Sequence, residues 1–330
     1  MPLSNEQYFG VRPLSEAINI LPSTPTIIRE SGLFVPEYLS TTYVDITMKN
    51  NELTLVQSQP RGGAGQPTKT RKTSGKTFQI PHYPMTDGVF ADEVQNLRAF
   101  GSENVATPVM DKVNDKAADM KADLEYTREH AQLGALQGVV VDADNTVIYD
   151  FNKEFGVTRD VYEFKLSSDT ARIGTTTDKM LRQLMLNLNG DISKGFICFA
   201  SPEFMDAYTD HPSIRDLYAR FKETSDQYRD TNPNMTFNHR GVQFVTYTHK
   251  FGSEVDIKAG EAHIAPLGTR KTTKEYFAPA NYNATVNTKA LAYYLSREKK
   301  KMDKGWDLEA QTNSLSILLR LKAAATLRMS

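Results

Sequence analysis

The sequence predicts an α+β protein made of two folded domains and two long extensions. Three observations favour this class. Two stretches of alternating, β-branched residues flank a basic glycine-rich segment, and short strands alternate with helices in the middle of the chain. Between these parts, one helical pattern continues for about thirty residues. A length of 330 residues fits roughly two domains.

The first 41 residues are predicted to form an extended N-terminal arm. Prolines stand at positions 2, 13, 22, 25 and 36, and each fixes φ and removes a backbone donor. The arm also carries apolar residues that a solvated tail does not need, namely Ile27, Ile28, Leu33 and Phe34. Two interpretations stay open: the arm docks on its own domain, or it contacts a neighbouring copy.

Residues 42–89 are predicted to form a long β-hairpin, with strands at 42–59 and 76–83. Glycines at 62, 63, 65 and 75 disfavour a helix or a central strand between them. The basic tip, residues 61–76, has no acidic residue and carries Arg61, Lys69, Arg71, Lys72 and Lys76. The tip is either a solvated loop or a finger that contacts an acidic surface. It has no aromatic residue on which a nucleic-acid base could stack.

Residues 108–137 are predicted to form one long helix. Thr107 is a suitable N-cap, and Pro108 suits the first helical position. Apolar residues keep a helical spacing at Val109, Val113, Ala117, Met120, Leu124, Ala131 and Ala135. Charged residues fill other positions, and both Lys121–Glu125 and Glu125–Arg128 are spaced so that they can pair. Four acidic residues on this helix are candidate contacts to another copy: Asp111, Asp115, Asp119 and Asp123.

The rest of the chain predicts short elements. Residues 139–150 read as a small hairpin with a polar turn at 142–145. Helices are predicted at 179–189, 202–208 and 214–221, and strands at 195–200, 241–248, 261–266, 290–296 and 314–321. The segment 175–178 is expected to precede the first of these helices, and the polar tract 224–238 is expected to be a loop.

Composition excludes several classes of protein. The 39 basic and 40 acidic residues give a net charge of −1, which disfavours a protein dedicated to coating DNA. Cys198 is the only cysteine, so a disulfide framework and cysteine-based metal sites are excluded, and a reducing cytoplasm is expected. We expect neither a membrane span nor a signal peptide, because no apolar run has the required length or flanks.

One catalytic pattern competes with a structural role. The segment 139–146, VVVDADNT, resembles motif I of haloacid-dehalogenase-type phosphotransferases, and 196–201, FICFAS, resembles their second motif. That resemblance implies Asp142 as nucleophile, Asp144 as acid/base and a Mg²⁺ ion. A hairpin turn accounts for the same residues, because a long helix leads directly into them and no acidic pair follows to complete a metal site. We therefore predict no enzyme activity and no cofactor.

The order of elements resembles a tailed-phage major capsid protein with the HK97-like fold, in the lambda-like major capsid protein E family. The segments that carry this resemblance are 26–34 (TIIRESGLF), 60–63 (PRGG), 127–138 (TREHAQLGALQG), 202–204 (PEF) and 240–242 (RGV).

The resemblance implies a division of the chain into named parts. These are an N-terminal arm at 1–41, an extended loop at 42–89, a peripheral domain at 90–165 and 286–330 with a spine helix at 108–137, and an axial domain at 166–285.

The resemblance also implies a structural function in the virion. Hexamers and pentamers of the chain would tile an icosahedral shell, assembled in the host cytoplasm, that contacts packaged double-stranded DNA weakly and without sequence specificity. The implied partners are a separate scaffolding protein, a portal protein and a decoration protein. An encapsulin-like compartment shell is the alternative within the same fold.

Overall fold

The computed structural model describes residues 10–23, 26–49, 73–95, 106–224 and 236–330. Helices and strands are mixed within these ranges, as predicted. The helices are α1 Val11–Ile20, α2 Ile27–Glu30, α3 Ala91–Gln95, α4 Ala106–Gln137, α5 Phe151–Phe155, α6 Ile173–Asn187, α7 Pro202–Asp210 and α8 Pro212–Thr224. The strands are β1 Val35–Tyr38, β2 Tyr43–Lys49, β3 Thr73–Gln79, β4 Tyr83–Phe90, β5 Val139–Val141, β6 Val147–Asp150, β7 Asp160–Glu163, β8 Gly195–Ala200, β9 Thr236–His239, β10 Val242–Thr246, β11 Glu261–Leu267, β12 Thr273–Phe277, β13 Tyr294–Lys299, β14 Gly305–Thr312, β15 Ser314–Leu318 and β16 Ala325–Arg328.

The long hairpin is formed by β2 and β3, which pair antiparallel with Tyr43 opposite Gln79. The pairing confirms the predicted hairpin. Its second strand begins at Thr73, earlier than predicted, so Lys76 lies within a strand and not in the tip. Residues 50–72, which include most of the predicted basic tip, lie outside the described residues.

The long helix α4 has 32 residues, which corresponds to about 48 Å at 1.5 Å per residue. The predicted helix is therefore confirmed, with a start two residues earlier. Its apolar stripe is buried against β4, β13, β14 and α1 in a cluster that includes Val113, Ala117, Met120 and Leu124. The helix thus serves as a rod on which other elements pack.

Three larger sheets surround this rod. A six-stranded sheet has the order β7-β16-β11-β8-β10-β9, and two three-stranded sheets have the orders β13-β14-β4 and β1-β12-β15. Helices α6, α7 and α8 cover the six-stranded sheet through buried apolar residues such as Met180, Phe204 and Ile214. This arrangement is the α/β unit that the alternation of strands and helices predicts.

Strand pairing joins segments that the predicted division assigns to different parts of the chain. Strands β7 and β16 lie within 90–165 and 286–330, yet they pair with each other, and β16 pairs with β11, inside the six-stranded sheet. Strand β12 lies within 166–285, yet it pairs with β1 and β15 instead. Apolar residues of β16 and β12, Leu327 and Phe277, are fully buried, and the strands that pair with these two are far away in sequence.

Three local predictions are wrong. The arm contains the helix α1, whose Leu14 and Ile18 are buried against β13 and α4. Gly10 at its N-cap position supplies no capping side chain, so the usual signal for a helix start is missing. The segment 175–178 lies inside α6 and does not precede it. Residues 236–238, at the end of the predicted loop, belong to β9, because Phe237 packs in the core while the strand pairs with β10.

No helix within the described ranges combines the length and apolarity that a membrane span requires.

Candidate inter-subunit contact surfaces

A row of aspartates lies on the solvent side of α4. All four of its carboxylates are exposed, and they recur every four residues: Asp111, Asp115, Asp119 and Asp123. Like charges at this spacing repel each other along a helix. Within the described part of the chain, none of the four makes an ion pair that would offset this repulsion. This acidic row is therefore a surface suited to a basic partner.

Four other charged residues of α4 are buried and bind elements outside the helix: Lys121, Glu125, Arg128 and Glu129. Arg128 donates from Nε to Glu275 Oε1 at 3.1 Å and from Nη2 to Glu275 Oε2 at 2.8 Å. It also donates to the hydroxyl of Tyr293, and its guanidinium lies 4.9 Å from the ring centre of Phe277. Burial acts to lower the pKa of Arg128, but the Glu275 carboxylate outweighs it and keeps the pKa above its usual value. The pair joins α4 to β12.

Two glutamates of the same helix bind the segment around α2. Arg29 Nη1 donates to Glu125 Oε1 at 2.7 Å, and the backbone N–H of Ile28 donates to Glu129 Oε1 at 2.9 Å. The hydroxyl of Tyr247 donates to the same oxygen at 3.2 Å. Burial raises the pKa of Glu129 even though these hydrogen bonds act to lower it. The spacings predicted pairing along the helix, whereas the strongest contacts run to other elements.

This docking buries the apolar residues of the arm in the chain's own core. The four candidates for contact with another copy, Ile27, Ile28, Leu33 and Phe34, are each less than a tenth exposed and belong to one cluster with β2, β3 and α4. Their positions match the first interpretation, an arm docked on its own domain. They have little surface left for a neighbouring copy.

Lys76 has a partner within its own chain. Its Nζ lies 2.7 Å from Glu154 Oε2, and both side chains are about half exposed. The pair joins β3 to α5, so Lys76 is not a free charge at the hairpin tip. The other four predicted tip residues, Arg61, Lys69, Arg71 and Lys72, lie outside the described residues.

The phosphotransferase-like segment is a hairpin turn. Asp142 accepts a hydrogen bond from the N–H of Ala143, and Asp144 accepts one from the N–H of Thr146. The turn joins β5 to β6 in a two-stranded sheet, whereas the second motif lies on β8 in the six-stranded sheet. Ser201 caps α7 by accepting from the N–H of Phe204 at 3.2 Å. The structure therefore does not unite the two motifs in one site.

Other chemically reactive groups are buried and separate. Cys198 is fully buried, and burial raises the pKa of its thiol, which favours the unreactive protonated form. His263 on β11 is 5% exposed, with its Nδ1 3.2 Å from the hydroxyl of Thr326. Nowhere in the described ranges do three or more His, Cys, Asp or Glu side chains group as metal ligands.

The sequence of this chain is similar to those of phage major capsid proteins. A protein-family model described as phage major capsid protein E matches residues 10–329. The major capsid protein of Pseudomonas phage KPP10 is 23% identical over 338 residues, which cover 96% of this chain and 95% of that protein. The major capsid protein of Salmonella phage Felix O1 is 23% identical over 358 residues, with the same two coverages.

Solved structures show the same architecture at low identity. A protein described as a capsid protein of a prophage of E. coli CFT073 is 11% identical, with a TM-score of 0.57 over 98% of this chain and 99% of that one. A phage-related protein of Bordetella bronchiseptica RB50 is 10% identical, with a TM-score of 0.53 over 97% and 98%. The capsid of cyanophage A-1(L) is 13% identical, with a TM-score of 0.50 over 94% of each chain.

Proposed function

The chain belongs to the phage major capsid protein E family, and from this premise we propose that its copies assemble into an icosahedral head shell that encloses phage DNA. The family match across nearly the whole chain is the observation that carries the proposal. The predicted HK97-like fold is confirmed, because solved phage capsid proteins share the architecture. The role of the chain is structural, and none of the steps proposed for it requires catalysis.

We propose that the acidic row of one copy contacts the basic tip of another. The acidic row is exposed and has no ion-pair partner in the described part of its own chain. The basic tip carries four positive charges, on Arg61, Lys69, Arg71 and Lys72. Opposite charges on two surfaces raise the rate of encounter and fix the register of the contact.

Several partners follow from the same premise. Copies would be grouped as hexamers and pentamers and guided by a separate scaffolding protein, and a portal protein and a decoration protein would be further partners. Contact with packaged DNA would be weak and without sequence specificity, as the net charge of −1 favours. Assembly would take place in the host cytoplasm and leave the protein in the virion.

Charge reversal combined with electron microscopy tests the contact. The double variant Asp115→Lys with Asp119→Lys should lower the yield of negatively stained shells at least tenfold, and so should Arg71→Glu with Lys72→Glu. Combining the four substitutions should restore shells, since the charges are then exchanged across the contact. The matched control reverses two exposed aspartates on other helices, Asp206→Lys with Asp216→Lys, and should assemble normally.

Each outcome decides one point. Wild-type protein that stays monomeric with its scaffold present would refute the shell function. Shells that form from the Asp115 and Asp119 variant at normal yield would refute the proposed contact. Wild-type shells that enclose a protein cargo without DNA would favour the encapsulin-like alternative.

A further inference from the structure

The loop that joins β13 to β14 exposes a methionine in a strained conformation. Met302 is 88% exposed, more than any other large apolar side chain among the residues that the structure describes. Its backbone has φ 61° and ψ 24°, and Asp303 beside it has φ 60°. Residues other than glycine rarely adopt this left-handed backbone conformation, and such strain is concentrated at functional sites. The left-handed backbone therefore lowers the stability of the loop, and the loop exposes an apolar side chain to solvent.

Lysines surround this methionine. Lys299 pairs with Asp303 at 2.8 Å, and Lys300 pairs with Asp307. Lys301 and Lys304 are exposed, and neither has a carboxylate within ion-pair distance in the described part of the chain. The loop 299–304, called the methionine knob below, thus combines an apolar tip with a positive collar.

A cavity at the other end of the same sheet has complementary properties. Its volume is about 110 Å³, and the residues that line it include Tyr83, Tyr126, His130, Asp142, Ala143 and Phe251. The rings of Tyr126 and Phe251 lie 4.6 Å apart, and those of His130 and Phe251 lie 5.0 Å apart. Since an apolar cavity of about 150 Å³ admits benzene, this aromatic cavity has room for the four heavy atoms of a methionine side chain. Thioether sulfur also packs favourably against aromatic rings.

The rim of the aromatic cavity is acidic. Asp142 lines it, and the exposed Asp144 lies on the same turn. The neighbouring loop carries the exposed Glu254, whose N–H donates to Asn145 and so holds the two loops together. The acidic row of α4 ends at Asp123, one helical turn before Thr127 in the cavity wall. The positive collar of the methionine knob matches this charge.

A knob cannot fill the cavity of its own chain. Strand β4 pairs with β14 from Phe90, opposite Gly305 beside the knob, to Tyr83 in the cavity wall. Seven residue steps of strand separate the two ends by roughly 23 Å. We propose that the methionine knob of one copy inserts Met302 into the aromatic cavity of a neighbouring copy. This inference rests on the proposed shell function, and it makes the interface heterologous, the kind that builds rings and lattices.

A pair of engineered cysteines tests the proximity of the two sites. Met302→Cys with Ala143→Cys should give disulfide-linked oligomers from assembled shells on a non-reducing gel, and a reductant should dissolve them. Each single variant should stay monomeric on the gel, because the native Cys198 is buried and unreactive. The matched control, Met302→Cys with Val286→Cys, uses an exposed aliphatic position outside the cavity and should not cross-link.

A second set of variants separates the contact from the strain. Met302→Gly relieves the left-handed backbone, so the isolated subunit should unfold at a higher temperature while its yield of shells falls at least tenfold. Met302→Leu keeps an apolar tip and should assemble within twofold of wild type. If the wild type forms shells but Met302→Cys with Ala143→Cys gives no cross-links, the knob contact is overturned and the shell function stands. A normal yield of shells from Met302→Gly would have the same meaning. Failure of the wild type to form shells would instead count against the proposed function.

Discussion

The buried histidine of β11 should make the folded subunit sensitive to acid. Burial, together with the nearby positive charges of Arg159, Arg328 and Lys258, lowers the pKa of His263 to about 3. In the unfolded chain the same imidazole binds its proton near pH 6.5. Below that pH the imidazole binds a proton in the unfolded state but not in the folded state. The stabilisation is therefore complete above about pH 6.5 and is lost as the pH falls towards about 3.

The size of the effect follows from the two pKa values. Each unit of pKa difference corresponds to about 1.4 kcal/mol, so a depression from 6.5 to about 3 amounts to about 5 kcal/mol in all. Between pH 7 and about pH 4.5 the loss from His263 alone should be about 3 kcal/mol. That loss is a large part of the 5–15 kcal/mol of stability typical of a folded domain.

The assay is equilibrium urea unfolding of the unassembled subunit at pH 7 and at about pH 4.5. His263→Gln cannot titrate, so its free energy of unfolding should fall between the two pH values by about 3 kcal/mol less than that of the wild type. The control is His82→Gln, at an exposed position, which should not reproduce this difference. Equal losses in the wild type and in His263→Gln would refute the argument from burial.

Two further predictions concern the buried charges of α4. Arg128→Leu should lower the free energy of unfolding by about 3–5 kcal/mol, because Glu275 would remain buried without its partner. Adding Glu275→Leu should recover part of that loss, as measured by urea unfolding. A double variant as unstable as Arg128→Leu alone would contradict this reason. Glu129→Gln should flatten the pH dependence above the usual pKa of a glutamate, since a carboxyl whose pKa is raised on folding costs stability as the pH rises through that raised value. Thermal melts from pH 5 to 8 would check it, and identical slopes for the variant and the wild type would count against a raised pKa.

Periodic patterns in the sequence were enough to predict the long elements. The 3.6-residue spacing of Val113, Ala117, Met120 and Leu124 predicts the helix α4, and the expected cap at Thr107 and Pro108 lies within two residues of its observed start at Ala106. The alternating strands on either side of the basic tip predict the β2–β3 pair. Each of these signals is local, because the residues that form the pattern are neighbours in the same element.

Features that depend on distant partners were missed. Lys121, Glu125, Arg128 and Glu129 carry charge and so predict a solvated helix face, yet all four are buried. Their partners come from elements far away in sequence, and the spacing of residues along one helix contains no information about them. The helix α1 has no capping side chain, and the prolines of the whole arm favoured an extended conformation.

The candidate contact residues divide in the same way. Exposure of the acidic row follows from its place opposite the apolar stripe of α4 and could be predicted. The knob at Met302 could not, because its left-handed backbone stands where a turn usually has glycine or asparagine. Lys76 was predicted in the tip, whereas the structure places it in β3 opposite Ile46. There it forms an ion pair with Glu154.

The position of β16 has a consequence for how the protein is made. This strand pairs with β7 on one side and β11 on the other, and it is the last of the described strands to leave the ribosome. Until residues 325–328 have emerged, β7 has no partner in the six-stranded sheet and one edge of β11 stays open. A chain that stops before residue 325 therefore cannot close this sheet, whatever the state of its hairpin and long helix. Products cut short there would leave one edge of β11 unpaired, and exposed strand edges of this kind favour pairing with other chains.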